Sequence, residues 1–287
     1  MSNPIKIIEC PRDAMQGMHD FVPTQRKIDY INSLLEVGFD TIDFGSFVSP
    51  KAIPQMKDTA EVLNGLKLTE TSSKLLAIVA NERGAADACQ FQEINFLGYP
   101  FSISETFQQR NTNASIEQSL GRVEAVSNAA VKNGKELVVY LSMGFGNPYG
   151  DPYDPDVCAE WTEKLHKQFG VNIVVPSDTI GSASPELISS LFNTLLQEFG
   201  AVEFGAHIHT TKETAIPKIE AIEKAGVQRI DGAIKGYGGC PMAKDDLTGN
   251  MPTELIVNTL SPAALGSNFN MDLFNGAFEK SATIFNA

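Results

Sequence analysis

Two imidazoles one residue apart, in Ala206-His207-Ile208-His209-Thr210, follow the apolar run Val202-Glu203-Phe204-Gly205. On a strand, side chains at i and i+2 leave the same face, so His207 and His209 project together while Ile208 turns into packing. Co-directed imidazoles are half of a divalent-metal site, or else two polar strand-end groups satisfied by water or backbone. A hard carboxylate ligand is available in Asp13, which with Arg12 follows the first apolar run; the other reading of Asp13 is a turn or N-cap role. Arg12, set beside a metal, has the charge and donors to stabilise an enolate oxyanion. Asn250 offers a neutral amide oxygen, or is a turn residue after Gly249. Asp178, in Ser177-Asp178-Thr179-Ile180-Gly181, suits a base, a partner to a ligand, or an N-cap. Cys240 rides on a glycine loop, Gly236-Tyr237-Gly238-Gly239, where nearby positive charge would lower a thiol pKa.

These residues need elements to hold them, and the chain supplies a repeating pair: a short apolar run, then a longer amphipathic segment. Runs beginning at Ile5, Thr41, Lys74, Glu93, Leu137, Val171, Glu203 and Arg229 read as eight strands. The first is followed by a polar loop and a helix from about Thr24 to Val37, with Thr24 as N-cap and Gly38 as C-terminal stop. A second helix is expected over 55–65. Another is expected over 115–133, with a capping box of Ser115 and Gln118 at its start. Eight such units in 287 residues predict a (β/α)8 TIM barrel, for which about 250 residues is typical. The strands read as nearly continuous apolar runs, as parallel strands buried on both faces should. An open doubly wound sheet is the alternative, but no GxGxxG follows the first strand. No linker or low-complexity segment marks a boundary, so a single domain over 1–287 is expected. It comprises a barrel over about 5–255 and extra C-terminal helices over about 256–287.

In such a barrel, chemistry belongs at the C-terminal ends of the strands. There the sequence places Arg12, Asp13 and Gln16 after strand 1, and Asp43 and Ser46 on or after strand 2. Arg110 and Asn111 follow strand 4, Asp178 ends strand 6, and His207 and His209 end strand 7. Polar chemistry thus gathers at one end of almost every unit.

Hydrophobic residues make up 43% and charged ones 20%, an ordinary soluble composition. A net charge of −13 argues against nucleic acid and against an anionic membrane surface as partners. Four cysteines, Cys10, Cys89, Cys158 and Cys240, are dispersed without a CxxC pair. That suits reduced thiols in the cytoplasm. No basic segment with an apolar run opens the chain, so no signal peptide is expected.

Several motifs together resemble one enzyme family. They are Pro11-Arg12-Asp13-Ala14-Met15-Gln16, Ser46-Phe47-Val48-Ser49-Pro50-Lys51, Asp178-Thr179-Ile180-Gly181, His207-Ile208-His209 and Gly238-Gly239-Cys240-Pro241. The chain is similar, in register from about Ile5 to Glu254, to the hydroxymethylglutaryl-CoA lyases of the metal-dependent barrel family. The resemblance implies Asp13, His207, His209 and Asn250 as ligands of Mg²⁺ or Mn²⁺. Arg12 would stabilise the enolate, Cys240 would move a proton, and the general base would be Asp13 or Asp178 with His207 as relay. Gln16, Asp43, Ser46, Arg110 and Asn111 are expected to contact an acyl-CoA substrate, with Lys51 and Lys244 as further phosphate contacts. The implied reaction is retro-Claisen cleavage to acetyl-CoA and acetoacetate, as in leucine degradation and ketone-body formation, by a homodimer. The chain departs from the family pattern at Asp43, one methylene shorter than the usual glutamate, and at Thr210, where an aspartate is usual. A Claisen-type synthase of the same family is the alternative, ranked second because this chain ends soon after the barrel. A non-catalytic metal- or ligand-binding barrel is the third reading.

Overall fold

The structure is a computed structural model and describes residues 3–239 and 248–285. Its eight strands are β1 (Lys6–Glu9), β2 (Thr41–Ser46), β3 (Lys74–Ile78), β4 (Ile94–Ser102), β5 (Glu136–Ser142), β6 (Ile173–Asp178), β7 (Glu203–Ile208) and β8 (Arg229–Gly232). Each pairs in parallel with the next, and β8 closes on β1, giving the (β/α)8 barrel expected from the repeating pattern. The helices are α1 (Pro11–Gln16), α2 (Thr24–Leu35), α3 (Thr59–Asn64), α4 (Glu82–Ala88), α5 (Glu105–Thr112) and α6 (Ile116–Lys132). They continue as α7 (Pro155–Phe169), α8 (Pro185–Glu198), α9 (Lys212–Ala225), α10 (Thr253–Thr259), α11 (Pro262–Leu265) and α12 (Met271–Phe285). No helix among the described residues is long and apolar enough to cross a membrane.

Local chemistry explains most boundaries. Ser115 accepts from the Gln118 amide, and the Gln118 side chain accepts from the Ser115 amide at 3.0 Å, so the expected capping box opens α6. Three readings need correction. The segment after β1 is not simply a polar loop, because Pro11 sits at the first position of α1, and Ala14 and Met15 are buried. Thr24 is the first residue of α2 rather than its cap; its hydroxyl donates to Asp58 at 2.8 Å. The helix expected over 55–65 is a short 3-10 turn, Pro54–Met56, followed by α3. Between them Asp58 is pinned by the buried Lys27 ammonium at 2.7 Å.

Leu76, Ile78, Phe96, Val138, Tyr140, Ile173 and Val175 form an apolar cluster of their own. Gly205 leaves space for a neighbour: a Cβ there would lie 2.7 Å from the Arg229 Cγ. Arg229 is wholly buried, donates to Glu203 at 3.1 Å and lies over the Phe96 ring. At the C-terminal end of the chain, Phe269 and Phe274 pack edge-on against Phe39, and Phe285 against Tyr30, which seats α12 on α2.

Candidate active site

Because α1 begins two residues after β1, Arg12 and Asp13 stand at the C-terminal rim of the barrel. Asp43 rises from β2 beside them, and Arg12 grips it with Nε at 3.0 Å and Nη2 at 2.5 Å from Oδ2. The Nη1 donates to Asp13 at 2.7 Å and to Gln16 at 2.9 Å. Gln16 in turn donates to Asp13 at 3.2 Å. Such a fork fixes the guanidinium in plane as well as in position.

His207 and His209 rise from the end of β7 and face Asp13. Ligand atoms of these three lie within 4.8 Å of one another. The β7–β8 pairing, Gly205 with Arg229 and Ala206 with Ile230, sets His207 beside Asp231. His207 Nδ1 is 3.2 Å from the Asp231 carboxylate, which leaves Nε2 as the atom for a ligand. Asn250 donates through its amide nitrogen to Asp13 at 2.7 Å and to the Tyr237 carbonyl at 2.9 Å, so its oxygen is the atom it has to offer a cation. Gly238 makes this close approach possible. Its φ is +88°, and a Cβ would sit 2.8 Å from the Asp13 carbonyl oxygen and from the Asn250 amide nitrogen.

The residues fit a divalent metal: a carboxylate and two imidazoles converge, and His209 Nδ1 is buried without a partner among the described residues. Cys10, His207 and Asp231 also cluster, but burial pushes the Cys10 thiol up, with Asp231 and Asp43 adding to it, so the sulfur stays protonated. Asp231→Ala is expected to weaken divalent-metal binding about 10- to 100-fold, because the partner that orients a ligating histidine is lost. A metal titration of the folded variant checks this, and unchanged affinity would remove Asp231 from the site.

Electrostatics divide the carboxylates. Burial disfavours ionised Asp13, yet Arg12, then His207 and His209, outweigh it and hold the carboxyl down at about 2. Burial pushes Asp43 up to about 6 against the pull of Arg12, so it is still ionised at neutral pH. Burial opposes a charge on His207, but the Asp231 hydrogen bond raises its pKa above the ordinary value. His209, buried beside His207, is lowered to about 4 and is therefore neutral, as a ligand must be.

Asp13, His207 and His209 line a cavity of about 560 Å³ at the barrel mouth. Arg12, Gln16, Asp43, Arg110 and Asn111 line it too. Ser46 stands apart: its hydroxyl accepts from the Val48 amide within β2's own turn. Lys51 is exposed and does not border the cavity. Asp178 does not border it either. Its carboxylate accepts from the amides of Ile180, Ser182 and Ala183, with the buried Lys218 ammonium 3.9 Å away. These amides and the Lys218 charge make it the organiser of the β6–α8 turn. Thr210 shares a hydrogen bond with Thr214 at the start of α9. Cys240 and Lys244 lie outside the described residues. Sequence reasoning did not find Asp231 or α5; the i+2 spacing of Arg229 and Asp231 on one strand face was the only local signal for the former.

The fold and site define a class: an eight-stranded parallel barrel with an aspartate, two histidines and an asparagine gathered beside a locked arginine, a donor set able to hold a metal ion. More narrowly, the chain belongs to the HMGL-like family, whose model matches residues 5–275. It is 34% identical to the mitochondrial hydroxymethylglutaryl-CoA lyase of Bos taurus, over 96% of this chain and 84% of that protein. The crystal structure of the Bacillus subtilis HMG-CoA lyase superposes with a TM-score of 0.90 at 32% identity, covering 99% of this chain and 95% of that one. An HMG-CoA lyase from Acinetobacter baumannii, solved in complex with coenzyme A and 3-methylmalate, matches with a TM-score of 0.89 at 26% identity, covering 99% and 92%.

Proposed function

We propose that the protein is a divalent-metal-dependent lyase that cleaves 3-hydroxy-3-methylglutaryl-CoA to acetyl-CoA and acetoacetate. The observation that carries this reading is the joint placement of Arg12, Asp13, His207 and His209 around one cavity that also reaches the basic side chain of Arg110. The relatives named above bear the same activity in their names.

Asp13, His207, His209 and Asn250 would hold Mg²⁺ or Mn²⁺, which when bound supplies Lewis-acid polarisation of the substrate's oxygens. Asp13, held down at about 2, stays anionic across physiological pH and so serves as ligand rather than as base. Loss of the tertiary hydroxyl proton turns that carbon into the ketone of acetoacetate. The C–C bonding pair moves into the acetyl-CoA fragment as an enolate, which is then protonated at carbon. Arg12 is the group placed to stabilise the enolate oxygen. His207, its Nδ1 held by Asp231 and its Nε2 offered to the metal, is assigned to the ligand set rather than to the proton relay. Cys240, next to Gly239 in sequence, retains the proton-transfer role its motif implies. Asp178, saturated by backbone amides, is assigned to holding the rim in shape rather than to the base.

Purified protein incubated with Mg²⁺ or Mn²⁺ and 3-hydroxy-3-methylglutaryl-CoA is expected to release acetoacetate and acetyl-CoA in equal amounts. Metal-loaded protein that yields no product above background would overturn the assignment.

A further inference from the structure

Arg110, a cation that lines the cavity on the β4 side, does not stand on the barrel itself. It lies in the last turn of α5, an eight-residue helix whose apolar anchor is small. Its buried Gln108 ties it to Ser102 and Ser119, while its N-terminal turn is held from elsewhere in the chain. The connection between β5 and α7 folds across its N-terminal turn and is closed on itself by Asn147. The Asn147 Oδ1 accepts from the amides of Tyr149 at 3.0 Å and Asp151 at 3.1 Å, while Nδ2 donates to the Asp151 carbonyl at 2.9 Å. The loop so formed presents the Asp151 carboxylate to α5. It accepts from the Ser104 hydroxyl at 2.5 Å, the Thr106 amide at 3.0 Å and the Thr106 hydroxyl at 3.1 Å. Ser104 is itself the N-cap, accepting from the Phe107 amide at 3.1 Å. One carboxylate therefore secures both the capping residue and a first-turn amide that the helix cannot pair internally.

The same loop also meets the functional end of the helix. The Tyr149 ring lies 4.7 Å from the Arg110 guanidinium carbon, within cation–π range, and packs at 6.4 Å from the Phe107 ring. Asp151 thus fixes the start of α5 and Tyr149 stacks on its arginine, two contacts from one pinned loop.

We propose that Asp151 is a positioning residue for substrate binding: through the loop of residues 147–151 it sets α5 so that Arg110 meets a phosphate group of the acyl-CoA. This rests on the acyl-CoA reading above. Asp151 touches neither the metal-site residues nor Arg110 directly, so its loss should weaken binding without altering chemistry at the rim.

Coenzyme A titrated into the metal-loaded protein by calorimetry tests this, with kcat and KM measured in parallel. Asp151→Ala is expected to raise the Kd for coenzyme A and the KM about tenfold, leaving kcat within about twofold and metal affinity unchanged. Asp151→Asn, which keeps one acceptor oxygen, is the milder variant should the alanine form fail to fold. Arg110→Ala is expected to match Asp151→Ala, and the double variant to be no worse than either alone, since both act through one contact. Independent, multiplying effects would overturn the proposal, as would wild-type affinity in both Asp151 variants. Wild-type protein that binds metal but no coenzyme A would instead overturn the acyl-CoA reading itself.

Discussion

Arg12→Met is expected to lower kcat on 3-hydroxy-3-methylglutaryl-CoA by about 10²- to 10³-fold, the loss typical of removing one donor from a developing oxyanion. The reason lies in how little freedom the side chain has. Nε and Nη2 hold Asp43, and the two Nη1 protons go to Asp13 and Gln16. Among the described residues this leaves a single Nη2 proton uncommitted, aimed by a network that does not need to reorganise when charge appears. Removing one member of a buried ion pair commonly costs about 3–5 kcal/mol of stability. Here the cost should be smaller, because Asp43, already pushed up to about 6, can take up a proton at neutral pH for about 1–2 kcal/mol. The variant should therefore remain folded and bind metal, so that the lost rate reports chemistry. Arg12→Lys is expected to fare little better, since an ammonium cannot hold two carboxylates and an amide in one plane. Steady-state kinetics on folded, metal-loaded protein decide the matter. A kcat within a fewfold of wild type would remove Arg12 from the reaction.

Glu9→Gln should make the protein markedly less sensitive to alkaline pH. Glu9 ends β1 wholly buried, with Oε1 accepting from the Ile234 amide at 2.9 Å and Oε2 from the Thr253 hydroxyl at 2.5 Å. Burial raises its pKa to about 8, with Thr253 and Ile234 pulling the other way and Glu254 adding to the rise. A carboxyl whose folded pKa lies above its unfolded value contributes stability that is fully present below the unfolded value, near 4.5. That stability is lost as pH climbs to the folded value, at about 1.4 kcal/mol per unit, or roughly 5 kcal/mol in all. Glutamine keeps the shape and the neutral state and does not titrate. Denaturant unfolding should show the two proteins within about 1 kcal/mol of each other at pH 5, and the variant more stable by about 3–5 kcal/mol at pH 8. Parallel stability curves for the two proteins across this range would show that Glu9 is not the titrating group.

Much of the fold was legible because it is written in short-range periodicity. Apolar runs of strand length, the Ser115–Gln118 capping box and the prolines and glycines at segment ends each depend on residues a few positions apart. The shared face of His207 and His209 was legible for the same reason, as i and i+2 on a strand cannot diverge. The short helices were less so. α1 has six residues and α5 eight, too few for an amphipathic period to show, and contacts from distant segments help to hold each of them.

The sequence by itself determined the eight-unit barrel, the rim where chemistry must lie, and the residue types available there. Only the tertiary structure decided what those residues are for. Asp43 became the clamp on Arg12, 31 positions away in sequence, and Asp231 became the partner of His207, 24 positions away. Asp178, as plausible a base as any by sequence, spends its carboxylate on the amides of its own turn. A carboxylate's role is set by which donors and charges surround it, and in a closed barrel those come from neighbouring strands whose register no local pattern records.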